Sequence, residues 1–96
     1  MFHLIQLRFS HHKALAAQHM EGHKAWLQQG FDEGVFLVSG SLDGGQGGCV
    51  LAHGEPAEVL RSRVQQDPFV AEGVVSAEIT SFVAHRADAR MAFLVG

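Results

Sequence analysis

Val35-Phe36-Leu37-Val38-Ser39-Gly40, then Ser41-Leu42-Asp43-Gly44-Gly45-Gln46-Gly47, then Gly48-Cys49-Val50-Leu51-Ala52-His53: two short apolar, β-rich runs flank a segment of turn-forming residues. Glycine reaches positive φ without steric cost, and Asp and Ser bond back to nearby backbone, so the stretch reads as a β-hairpin. Before it, from His11 to Gln29, Ala16, Met20 and Leu27 fall at helical spacing with Leu15 and Trp26 flanking, and Ser10 is placed to cap the helix. After it, Pro56 fits the first turn of a second helix, whose stripe of Leu60 and Val64 runs on to Asp67-Pro68, where further helix is disfavoured. The outermost pieces are strands. Phe2 to Phe9 alternates Ile5, Leu7 and Phe9 against Phe2, Leu4, Gln6 and Arg8, and Val74 to Val83 supplies the fourth strand.

Strand, helix, strand, strand, helix, strand is the split βαβ order of the ferredoxin-like α+β fold, a four-stranded antiparallel sheet with two helices on one face. Its 96 residues fit a single domain spanning 1–96, because a chain this short buries only about two-thirds of its unfolded surface and rarely supports two cores. The strands are apolar on both faces: Val35 and Leu37 oppose Phe36 and Val38, and Val75, Ala77 and Ile79 oppose Val74 and Phe82. A sheet with one wet face alternates cleanly, so the expected state is a homodimer with two sheets packed face to face. Residues 84–96 form a tail whose Met91-Ala92-Phe93-Leu94-Val95 is too apolar for water, and it is expected to pack at that dimer interface.

Composition narrows the partners. A net charge of −3 with scattered Lys and Arg offers no basic stripe for phosphates, which argues against nucleic acid. No apolar stretch approaches the ~18 residues of a membrane span. The start, Met1-Phe2-His3-Leu4-Ile5, lacks a basic secretory leader, so the expected location is cytoplasmic. The single cysteine, Cys49, lies in an apolar run and reads as a core thiol without redox or metal partners.

Seven histidines invite a metal reading, and His19 and His23 lie one helical turn apart. Yet Glu21 is misplaced for the zinc-protease helix motif and no third ligand is signalled, so no metal and no other cofactor is expected. His3, His11, His12, His19, His53 and His85 read as ordinary exposed histidines. His23 differs, since it follows Met20 by three positions and precedes Leu27 by four on the inward stripe. It is either a core histidine satisfied by a backbone carbonyl or an acid–base group in a small pocket. Asp67, before Pro68 at a helix break, has the chemistry of an N-cap for a short turn through Phe69, Val70 and Ala71. Facing His23, it would also fix the imidazole tautomer. Ser39 is a candidate pocket hydroxyl and Arg8 a candidate to neutralise an anionic substrate group or enolate. The glycines from Gly40 to Gly48 lead into a strand, not a helix, and read as a hairpin tip rather than a phosphate loop.

His23 with Leu27 and Gly34, Leu37 with Ser39-Gly40, and Asp67-Pro68-Phe69 with Gly73 and Val74 form an ordered set that resembles the YCII-related domain family. The resemblance implies a ferredoxin-like fold that dimerises into an α/β barrel. It also implies an active-site pocket holding a histidine and an aspartate, here His23 and Asp67. Some relatives in the wider barrel group carry out isomerisation or elimination on small, often aromatic, ring compounds, so the resemblance implies proton transfer as the reaction class. The function so implied is a cofactor-independent acid–base enzyme of isomerase or lyase type acting on a small polar or aromatic molecule. The alternative is a non-catalytic small-molecule-binding or structural homodimer.

Overall fold

The computed structural model describes residues 1–95. Four strands, β1 (Phe2–Phe9), β2 (Phe36–Ser41), β3 (Gly47–His53) and β4 (Val75–Phe82), form one sheet in the order β2-β3-β1-β4. Every neighbouring pair is antiparallel, as the ferredoxin-like arrangement requires. Helices α1 (Ala16–Asp32) and α2 (Ala57–Gln65) follow β1 and β3, and a single extra turn, α3 (Pro68–Ala71), precedes β4.

The core lies between the helices and one sheet face, where Ile5, Leu7, Val50 and Ala52 meet Trp26, Leu60, Val64 and Phe69. Polar bonds fasten the layers. The Trp26 Nε1–H donates to the Arg63 carbonyl at 2.8 Å, joining α1 to α2. Arg63 grips Glu55 with two bonds of 2.9 Å and Glu33 with one of 2.7 Å, which pins α2 to the turn before it and to the end of α1. The hydrogen bonds that Arg63 donates to Glu55, opposed by partial burial, raise its guanidinium above its ordinary pKa.

Three local expectations change. Ser10 does not cap the first helix; its N–H bonds to the Val74 carbonyl, and a 3₁₀ turn (Lys13–Leu15) intervenes before α1. His3 is not exposed. It is fully buried beneath the second helical connection, bonding the Glu55 carbonyl through Nε2 at 2.8 Å and the Ser81 hydroxyl through Nδ1 at 2.7 Å. Cys49 is only half-buried, because it lies opposite Gln6 and Gly40, on the sheet face the helices do not cover.

That uncovered face carries Phe2, Leu4, Val38, Leu51 and Phe82 at one end and Gln6, Arg8 and Glu78 at the other. Phe2 and Phe82 pack edge to face across β1 and β4, with ring centroids 4.9 Å apart. The tail folds back onto its own chain: a 3₁₀ segment (Ala89–Leu94) sets Phe93 edge-on against His53, and Val95 bridges to Ala84. Gly96, the last residue of the expected tail, lies outside the described residues.

Gly30 permits the close approach of α1 to β2. It is buried, and a Cβ there would run into the ring of Phe36, itself wedged between Trp26 and Phe31. Alanine in an exposed helix gains about 1 kcal/mol over glycine. Here Gly30→Ala should instead lower the unfolding free energy by about 1–3 kcal/mol in urea titration, the cost of overpacking; a gain would show that the helix and strand are not in this contact.

Candidate functional site

Asp67 sits at the break between α2 and α3, fully buried, and caps the short helix: its Oδ1 accepts from the Phe69 N–H at 3.0 Å. Pro68 occupies the first turn of α3, where its missing N–H costs nothing. The same Oδ1 lies 2.9 Å from His23 Nδ1. A carboxylate oxygen in such a bond accepts, so Nδ1 carries a proton, and in the neutral imidazole Nε2 is left as an acceptor. His23 is 15% exposed, and its ring stacks on Phe69 with centroids 4.1 Å apart and planes 3° from parallel. Asp67-Pro68-Phe69 therefore fixes the imidazole twice, in its plane through the phenyl ring and in its tautomer through the carboxylate. Asp67 Oδ2 is buried and makes no hydrogen bond among the described residues, so the carboxylate's charge has His23 as its one side-chain partner.

Gly22 lets α1 come close enough for this. A Cβ there would stand 2.9 Å from Pro68 Cγ, tighter than real contacts allow, so a larger residue forces the Pro68 ring or the helix to shift.

His23 lines a cavity of about 310 Å³ between α1 and the end of the sheet formed by β2, β3 and β1. Its apolar wall comes from Leu7, Phe9, Met20, Leu27 and Phe69. The cavity exists because the facing sheet positions are small: Ser39, Ser41 and Gly48 stand where larger side chains would fill the layer. Gly47 has φ +132°, and a Cβ there would strike the Leu7 carbonyl oxygen, so β3 can lie this close to β1 only with glycine at that position.

Ser39 reaches the cavity through an irregularity. Strict alternation puts Phe36 and Val38 on one face with Leu37 and Ser39 on the other. The strand is bulged between Phe36 and Val38, so Leu37 is an extra residue and the phase flips. Phe36 then pairs with Ala52 on the helix side, Val38 with Leu51 on the open side, and Ser39 with Val50 on the helix side. Bulges re-aim side chains in this way.

Of the candidates read from the sequence, His23, Asp67 and Ser39 therefore belong to one neighbourhood. Arg8 does not join them. Leu7 and Phe9 point into the cavity, so the residue between them points away, and Arg8 bonds Gln6 Oε1 at 2.8 Å on the open face. Sequence reasoning missed Lys24, Gly47 and Gly48 as cavity residues and Phe69 as the plate beneath His23. The glycines were visible as a turn signal, but their second role depends on which strand ends lie opposite α1. No helix is long and apolar enough to cross a membrane among the described residues.

The family model of the YCII-related domain matches residues 1–83. No protein of curated function matches the chain. Among solved structures it is similar to 5-chloro-2-hydroxyhydroquinone dehydrochlorinase (TftG) from Burkholderia phenoliruptrix AC1100, in complex with 2,5-dihydroxybenzoquinone. The TM-score is 0.72 at 19% identity, over 92% of this chain and 100% of that one. At that identity the likeness is one of fold.

Proposed function

The chain belongs to the YCII-related domain family, and on that premise we propose that it is an acid–base enzyme of isomerase or lyase type working on a small ring compound in the cavity beside His23. The observation that carries this reading is the 2.9 Å bond from His23 Nδ1 to a fully buried carboxylate, made by a histidine that also lines a cavity. A general base needs one nitrogen held and the other free. His23 Nε2 would take a proton from a ring carbon or hydroxyl of the bound molecule, and Asp67 would stabilise the imidazolium that forms and keep its orientation. Electrons left on the substrate move into an enolate or expel a leaving group, which separates isomerisation from elimination. A cavity of about 310 Å³ with a mainly apolar wall is at the small end for ligand sites and suits one ring. The fold neighbour's name describes elimination of hydrogen chloride from a chlorinated hydroxyhydroquinone.

The test is a screen of enolisable and halogenated hydroquinones and their carboxylated analogues, run with wild type, His23→Gln and Asp67→Asn. His23→Gln should lose turnover by about 10²–10⁴-fold with its fold intact, the usual worth of a positioned acid–base group. Asp67→Asn should lose less, since the amide oxygen can still accept from Nδ1. Turnover surviving in His23→Gln ends the catalytic assignment. If the pair is a structural bond only, His23→Gln instead lowers stability by about 1–3 kcal/mol and alters no ligand's affinity.

We also propose that the working form is a homodimer closed by the uncovered sheet faces. Val38 and Phe82 on that face are 53% and 46% exposed in the single chain, and Phe2, Leu4 and Leu51 lie beside them. Sedimentation at micromolar concentration should give a dimer, and replacing both Val38 and Phe82 with Lys should yield monomer. A compact wild-type monomer would contradict the proposal.

A further inference from the structure

Resting on the reading of this cavity as the active site, we infer that its substrate is a planar anion whose ionised oxygen is anchored by Lys24, with the ring on the apolar wall. Lys24 follows His23 on α1 and lines the same cavity. Among the described residues, no aspartate or glutamate lines it. None of the ion pairs among the described residues involves Lys24, and Glu21, one turn earlier on α1, is not paired with it. Asp67, next to His23, is already bonded to it. Lys13, which does not line the cavity, has its Nζ 4.8 Å from the centroid of Phe9, a wall residue.

The chain as a whole carries a net charge of −3, so a carboxylate-free cavity with an unpaired ammonium runs against the general balance of the protein. Lys24 is an exposed residue of the lining, so its ammonium can attract an anion arriving from solvent, with an attraction that added salt screens. Ser39 and Ser41, two positions apart on the cavity side of β2, supply hydroxyls that can donate to the same oxygen. Apart from His23, the remaining side chains of the wall are mainly apolar, which suits a ring better than a polyhydroxylated chain.

A carboxylate and a ring phenolate share this chemistry, an ionised oxygen attached to a flat apolar body. Lys24 would also favour the step after proton removal, because negative charge moves from the broken C–H or O–H bond onto a substrate oxygen while the proton resides on His23 Nε2. The anion-recognising role that the sequence offered to Arg8 falls instead to Lys24, since Arg8 lies on the other face of the sheet.

Benzoate and benzamide are nearly isosteric and differ in charge, so they isolate the effect. Each would be titrated into the full chain and followed by amide shifts in ¹H–¹⁵N spectra. Benzoate should move Gly40, Gly47 and Gly48, and bind wild type about tenfold more tightly than benzamide, as a charge-assisted bond in a partly apolar site would give. Lys24→Gln should abolish the preference, and Lys24→Arg should keep most of it. Equal affinities in wild type, a preference that persists in Lys24→Gln, shifts confined to other parts of the chain, or no binding of either compound would overturn the inference. His23→Gln separates it from the catalytic reading: benzoate preference should survive that change whether or not turnover does. Phenolate preference follows from a matched pair, 4-nitrophenol titrated above and below its own ionisation, and should likewise vanish in Lys24→Gln; equal affinity for its two forms would confine the inference to carboxylates.

Discussion

A buried carboxylate is costly unless its charge is met, and in this fold Asp67 meets that demand with one oxygen. Oδ1 accepts from the backbone N–H of Phe69 and lies within bonding distance of His23 Nδ1. The first bond sets the turn that begins α3, and that turn brings the Phe69 ring under the imidazole. The second ties α3 to α1 across the top of the core. Lose the carboxylate and the cap, the stacking plate and the tautomer all loosen together. The close approach of Gly22 to Pro68 is the steric side of the same arrangement, since two helices joined by one short hydrogen bond need a small residue between them.

The cavity is the complement of that rigid wall. On α1 and α3, ring and aliphatic groups hold their places by packing, whereas on the sheet side serine and glycine leave the space open. The bulge at Leu37 decides which polar groups reach it, because it turns Ser39 inward and Val38 outward in one step. The same step adds Val38 to the apolar area on the opposite face, so a single extra residue shapes both the candidate site and the candidate dimer surface.

Much of this was legible in the sequence. Element order and the two faces of β1 follow from period-two alternation, and the Asp67 cap follows from an aspartate before proline at a helix break. The inward position of His23 follows from its spacing to Met20 and Leu27. What stayed hidden depends on non-local placement. Alternation assigns faces in β2 only if the strand is regular, and a bulge leaves no mark in a run such as Phe36-Leu37-Val38. His3 looked like a surface histidine because its partners, Ser81 and the Glu55 carbonyl, are brought to it by strand pairing and by the turn after β3. Arg8 looked apt for an anion by charge alone, yet the alternation that puts Leu7 and Phe9 in the cavity turns it away. Lys24 was passed over because it is an exposed residue whose place at the cavity depends on which strand ends lie opposite α1.

The account rests on Asp67 holding the proton-bearing Nδ1 of His23 so that Nε2 is free toward the cavity. Long-range ¹H–¹⁵N correlation spectra of the imidazole rings, recorded well above neutral pH on wild type and His23→Gln to assign the signals, read this tautomer directly. The predicted result is that neutral His23 carries its proton on Nδ1, with Nε2 showing the shift of an unprotonated nitrogen, and that Asp67→Ala lets the other tautomer appear. A proton on Nε2 in the wild-type protein would contradict the account.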